Sequence, residues 1–79
     1  MAQNHKKTRK YTYDYPENRE LGKLLSAADR IRIAKVIDKH PNYIYYIFVT
    51  GTRTNEKAIE LAKIIVEQKQ EFQRLAKAV

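Results

Sequence analysis

Between residues 39 and 53 the chain places Asn42, Tyr43, Tyr45, Tyr46, Val49, Thr50 and Thr52 between two cations, Lys39 and Arg53. These side chains suit the surface of a nucleic acid. An Asn amide pairs in a bidentate way with adenine N6 and N7, a Val methyl touches the thymine methyl, and tyrosine hydroxyls bond phosphates or base edges. Each good base contact contributes about 1–3 kcal/mol of discrimination, whereas Lys and Arg on phosphates add salt-dependent affinity without choosing a sequence. No Lys or Arg lies between Pro41 and Thr52, so the strongest guanine reader is missing and an A·T-leaning target is expected. Catalytic patterns are sparse. The two histidines, His5 and His40, are far apart, Ser26 is the one serine, and there is no Gly-rich phosphate loop. Glu56, Glu60, Glu67 and Glu71 interleave with Lys57, Lys63, Lys69 and Arg74, the pattern of a solvated helix face. We therefore expect no enzyme, no cofactor, no metal and no small-molecule ligand.

Two helices must position these groups. On a helix over residues 41–50, a turn of about 100° per residue puts Ile44, Ile47 and Phe48 inward. Asn42, Tyr46 and Val49 then lie opposite the core, with Tyr43, Tyr45 and Thr50 on the flanks. On propensity alone Tyr43 to Thr50 would be a strand. Helix is expected because Pro41 suits the first helical position, the apolar spacing is helical and Gly51 supplies a stop. Ahead of it, Ser26 and Asp29 form a capping-box-like pair that starts a helix from about Ala27 to Lys39. Arg30, Ile33, Ala34 and Ile37 turn inward on that helix, and Arg32, Lys35 and Lys39 stay wet. The break at Asp38-Lys39-His40 makes a helix-turn-helix pattern, a unit whose second helix lies in the major groove; His40 there would cap or touch a phosphate.

Around this pair we expect one small domain, residues 16–79, behind a flexible basic arm, residues 1–15. The arm carries Lys6, Lys7, Arg9 and Lys10 with almost no aliphatic side chains, and would be disordered until it follows phosphates or enters a minor groove. Tyr11, Tyr13 and Tyr15 alternate, which leaves a short edge strand or ring packing open for that part. Pro16 to Leu25 reads as a short first helix weakened by Gly22. Thr54 should cap a long last helix, Asn55 to about Lys77. On it Ala58, Leu61, Ile65, Gln68, Phe72, Leu75 and Val79 recur at spacings of three and four, a heptad stripe interrupted by Gln68. Ala58, Leu61, Ala62 and Ile65 should cover the two preceding helices. Phe72, Leu75 and Val79 project further than so small a unit can bury, and a homodimer through them is expected. The fold class is thus all-α: a small helix-turn-helix bundle of three to four helices with a long C-terminal helix.

Composition agrees with this reading. Sixteen Lys plus Arg against nine Asp plus Glu give the 79-residue chain a net charge of +7 and a pI near 9.8, which favours polyanions. With no Cys, no membrane-length apolar run and no signal-like start, a cytoplasmic protein is expected, with no membrane partner.

Residues Ala27 to Val66 resemble the helix-turn-helix DNA-binding domains of the lambda repressor and Cro kind, and the headpieces of the lac-repressor kind. The resemblance rests on Ile33-Ala34, Ile37, Ile44, Ile47 and the trailing GTRTNEKAIELAKII. It implies base-reading positions at Pro41, Asn42 and Tyr46, and phosphate positions at Tyr43, Thr50, Thr52 and Arg53. Asp38 stands where those families usually have Gly, and Lys39 where an apolar residue commonly follows. Asp enters the left-handed region more readily than most residues, so the same turn is expected. The implied function is sequence-specific binding of double-stranded DNA by a small transcriptional regulator. Two other classes remain open: a protein-interaction or assembly module using the Tyr-rich face and the C-terminal helix, and single-stranded RNA binding through the basic arm and ring stacking.

Overall fold

In a computed structural model the described residues are 13–78, and they form four helices with no strand among them. We label them α1 (Pro16–Gly22), α2 (Ala27–Ile37), α3 (Pro41–Phe48) and α4 (Glu56–Ala78). Lys6, Lys7, Arg9, Lys10 and Val79 lie outside the described residues. The helical reading of the Tyr-rich stretch holds against its strand propensity. Pro41 opens α3 and Gly51, at φ 68°, closes the turn behind it. Among the described residues no helix is long and apolar enough to cross a membrane.

Local chemistry sets each boundary. The Ser26–Asp29 capping box is complete: Asp29 N–H donates to Ser26 Oγ at 3.1 Å, and Ser26 N–H donates to Asp29 Oδ2 at 2.9 Å. Asp38 adopts the left-handed conformation (φ 58°, ψ 53°), so α2 ends at Ile37, two residues before the expected Lys39. Lys39 N–H returns to Ala34 O at 2.9 Å, the bond of a left-handed helix stop. The α4 cap moves by one. Asn55, not Thr54, presents the oxygen that accepts from Ala58 N–H at 2.9 Å, and α4 starts at Glu56.

The core gathers Ile33 and Ala34 from α2, Ile44, Ile47 and Phe48 from α3, and Ala58, Ala62, Ile65 and Val66 from α4, with Leu25 from the α1–α2 connection. Phe48, Ile33, Ile44 and Ile47 are fully buried, each contributing about 1.5–3 kcal/mol of apolar transfer. Leu24, next to the buried Leu25, is exposed. The first helix ends at Gly22, three residues before the expected Leu25. A Cβ there would stand 2.0 Å from Phe48 O, so the missing side chain is what lets α1 cross the end of α3. On α4 the expected Ala58, Ala62 and Ile65 are buried, and the departures are the neighbouring helix and one further residue, Val66. The helix approaches α2 and α1 most closely, and its buried stripe is Ala58, Ala62, Ile65 and Val66, with Leu61 only half-buried.

Candidate nucleic-acid interface

The outer surface of α3 carries Pro41, Asn42, Tyr45, Tyr46 and Val49, all exposed, while Ile44, Ile47 and Phe48 anchor the opposite side. Burial of those three residues fixes the rotation of the helix and leaves the others free. His40 begins it: its Nδ1 accepts from Asn42 N–H at 3.0 Å, which places the proton of the neutral ring on Nε2. The rings of Tyr45 and Tyr46 meet edge to face, 6.0 Å between centroids and 79° between planes, and so brace each other on the exposed surface.

At the rim of this surface stands Tyr43, half-buried. Its hydroxyl accepts from Asn55 Nδ2 at 3.1 Å, and Asn55 in turn caps α4. Lys39 Nζ lies 5.2 Å and Arg53 Cζ 5.5 Å from the centre of its ring, both within cation–π range. One aromatic side chain thus has a cation from the α2–α3 turn and another from the α3–α4 loop beside it. Among the described residues neither cation takes part in an ion pair. Two cations on one ring, and so within about 11 Å of each other, add positive potential along this rim and favour an anion there.

The loop bearing Arg53 is pinned from behind by the backbone of Tyr15 and by two side chains, Asn18 and Arg19, that sequence reasoning passed over. Tyr15 N–H donates to Gly51 O at 2.8 Å, Asn18 Nδ2 to Arg53 O at 3.3 Å, and Arg19 Nη1 to Thr50 O at 3.4 Å. Asn18 is buried on α1, and an amide at an inward position of a short amphipathic helix was the available signal. Arg19 also lies across Gly51, where a Cβ would meet its Cγ and Nη1 at 2.6 Å. The hydrogen bond to Asp14 raises the Arg19 guanidinium above its ordinary pKa against partial desolvation, with the Asp14 and Glu20 charges adding to it.

Thr50 and Thr52 are placed differently from free phosphate donors. The Thr50 hydroxyl donates to Tyr46 O at 3.1 Å, so the 2.8 Å contact between the two hydroxyls takes its proton from Thr52. To donate to a phosphate, either would have to give up a bond within the loop. The residues 13–15, assigned to a free arm on sequence, are attached here: Tyr13 and Tyr15 stack at 6.4 Å beside Thr52, Arg53 and Thr54. The chain that precedes them therefore joins the domain next to Arg53.

Phe72 and Leu75, expected at a dimer interface, stand far from this site. Phe72 is about 25 Å along the α4 axis from Asn55, at 1.5 Å per residue. On the way, Lys69 donates to Leu24 O at 3.2 Å and forms an ion pair with the buried Asp29 carboxylate. Desolvation pushes the Asp29 carboxyl up, but the Lys69 bond and the Ser26 backbone and hydroxyl bonds outweigh it and hold the group below its ordinary pKa. Compared with known protein families, with curated proteins and with solved structures, the chain matches none.

Proposed function

We propose that this chain binds double-stranded DNA in a sequence-specific manner, with α2, the Asp38 turn and α3 acting as a helix-turn-helix unit and α3 lying in the major groove. The observation that carries the reading is the uncharged outer surface of α3, bordered by Lys39 and Arg53 over Tyr43. Asn42, Tyr46 and Val49 read bases, with Pro41 close to the groove floor. Lys39, Arg53 and the Tyr43 and Tyr45 hydroxyls take phosphates, and the basic arm follows the backbone from its junction beside Arg53. The protein works as a small transcriptional regulator in the cytoplasm, as a homodimer on two half-sites about one helical turn apart, without catalysis or cofactor.

Selection from a random duplex pool at physiological salt should recover a palindrome with A·T-rich half-sites. Asn42→Ala and Tyr46→Ala should each weaken binding to that site by about 1–3 kcal/mol and leave binding to an unrelated duplex nearly unchanged. Equal losses on both duplexes would remove these residues from base reading. A second reading, a protein partner on the same surface, draws on the exposed Tyr45, Tyr46 and Val49. It is favoured if no duplex is retained even at low salt.

A further inference from the structure

Helix α4 carries two apolar stripes; the fold buries one and packs only Leu61 of the other against its core. Ala58, Ala62, Ile65 and Val66 are buried against the domain. Leu61, Ile64, Gln68, Phe72 and Leu75 fall within an arc of about 80°, turned about 100° from the buried stripe. Exposure along this second stripe is high: Ile64 48%, Phe72 73% and Leu75 52%, continued on α2 by Val36 at 61%.

The stripe has a centre of symmetry. Ile64 and Phe72 lie four residues on either side of Gln68, and Leu61 and Leu75 seven on either side. Its two halves differ in shape. Toward the N-terminus, Leu61, Ile64 and Ile65 join Val36 and Arg32 of α2 to line a groove of about 120 Å³. Toward the C-terminus every residue from Gln70 to Ala78 is exposed, and Phe72 and Leu75 stand on a free helix. A spacing that reads the same in both directions, with a groove on one half and protruding side chains on the other, is complementary to a second copy of itself under a two-fold axis. In a parallel pair, grooves would face grooves and the protruding halves would meet only each other.

From this we infer that two copies of the chain pair through an antiparallel crossing of α4 centred on Gln68, each copy seating Phe72 in the groove between α2 and α4 of the other. Phe72 then lies opposite Ile64 of the second copy, and Leu75 opposite its Leu61. Gln68 meets its own counterpart, and a side-chain amide, both donor and acceptor, satisfies itself in that pairing while fixing the register. This deepens the homodimer of the preceding reading by giving its surface and direction.

The test needs no DNA. Sedimentation of the full chain at micromolar concentration should show a dimer, and Phe72→Asp a monomer of unchanged helicity. The chain has no Cys, so introduced cysteines are unique. Under oxidation, a mixture of the Ile64→Cys and Phe72→Cys variants should give the mixed disulfide dimer, and neither variant should cross-link alone. A monomeric wild-type chain, a Phe72→Asp dimer, or cross-linking of each variant with itself would overturn the inference. Loss of duplex binding with the dimer intact would overturn the DNA reading alone, and a monomer that still selects a DNA sequence would overturn the pairing alone.

Discussion

Gly22→Ala sets two physical effects against each other, and the structure decides the sign. Helix propensity alone favours Ala over Gly by about 0.8–1 kcal/mol in a helix interior, and by less at the last residue of α1. Against this, the new Cβ would stand 2.0 Å from Phe48 O and 2.8 Å from Phe48 C and Cβ. The first of these is a backbone atom at the end of α3, so relief requires α1 and α3 to separate rather than a side chain to turn. Overpacking of this kind costs about 1–3 kcal/mol, and so hard a contact belongs at the upper end. The net expectation is a loss of about 2 kcal/mol, which for a domain of this size lowers Tm by about 8–16 °C. Thermal unfolding followed by circular dichroism at 222 nm measures this directly, with Lys23→Ala as an exposed neighbouring control. A Tm equal to or above that of the wild type would refute the close crossing of α1 over Phe48 and return Gly22 to a simple weak point in a helix.

Two further outcomes are expected. Asp29 is held below its ordinary pKa, so the stability it supplies is present above the unfolded value near 3.9 and is lost as pH falls through the lower folded value. Wild-type unfolding free energy should therefore fall on acidification below about pH 4, and Asp29→Asn should flatten that part of the profile; an unchanged slope would separate Asp29 from acid stability. In the DNA reading, Arg53→Ala and Lys39→Ala should each weaken binding to all duplexes alike and reduce the slope of log K against log salt by about 1, as measured by titration at several salt concentrations. Unaltered slopes would show that the cations over Tyr43 do not reach phosphates.

Much of the fold was legible because local chemistry decided it. Ser26 with Asp29, Asp38 at the turn, and Pro41 with Gly51 each fix a boundary through bonds to near neighbours. The α3 helix won over its strand propensity because Ile44, Ile47 and Phe48 share one buried side only in a helix. What escaped the sequence depends on contacts across the chain. Thr54 and Asn55 are both sound caps, and the choice fell to Asn55, whose amide also reaches the Tyr43 hydroxyl. Asn18 and Arg19 hold a loop more than thirty residues away. On α4 the expected covering residues Ala58, Ala62 and Ile65 are buried and Leu61 packs against the core, while Val66 joined them unannounced because it lies off the heptad count. Small alanines allow the close approach, so the core took Ala58 and Ala62 while the larger Ile64 and Phe72 remained outside.

The tie from Lys69 to Asp29 and Leu24 O bears on how this chain could vary in length. Upstream of that tie α4 is locked in rotation, and Phe72 and Leu75 share a direction with Leu61 and Ile64 only through an unbroken count of residues. One residue inserted after Lys69 would swing both side chains by about 100° around the axis without disturbing a single buried contact. Seven would return them to within about 20° of their course. Those seven would also carry Phe72 about 10 Å further along the axis and past Ile64 of a second copy, so a pairing centred on Gln68 admits no change of length between Lys69 and Phe72.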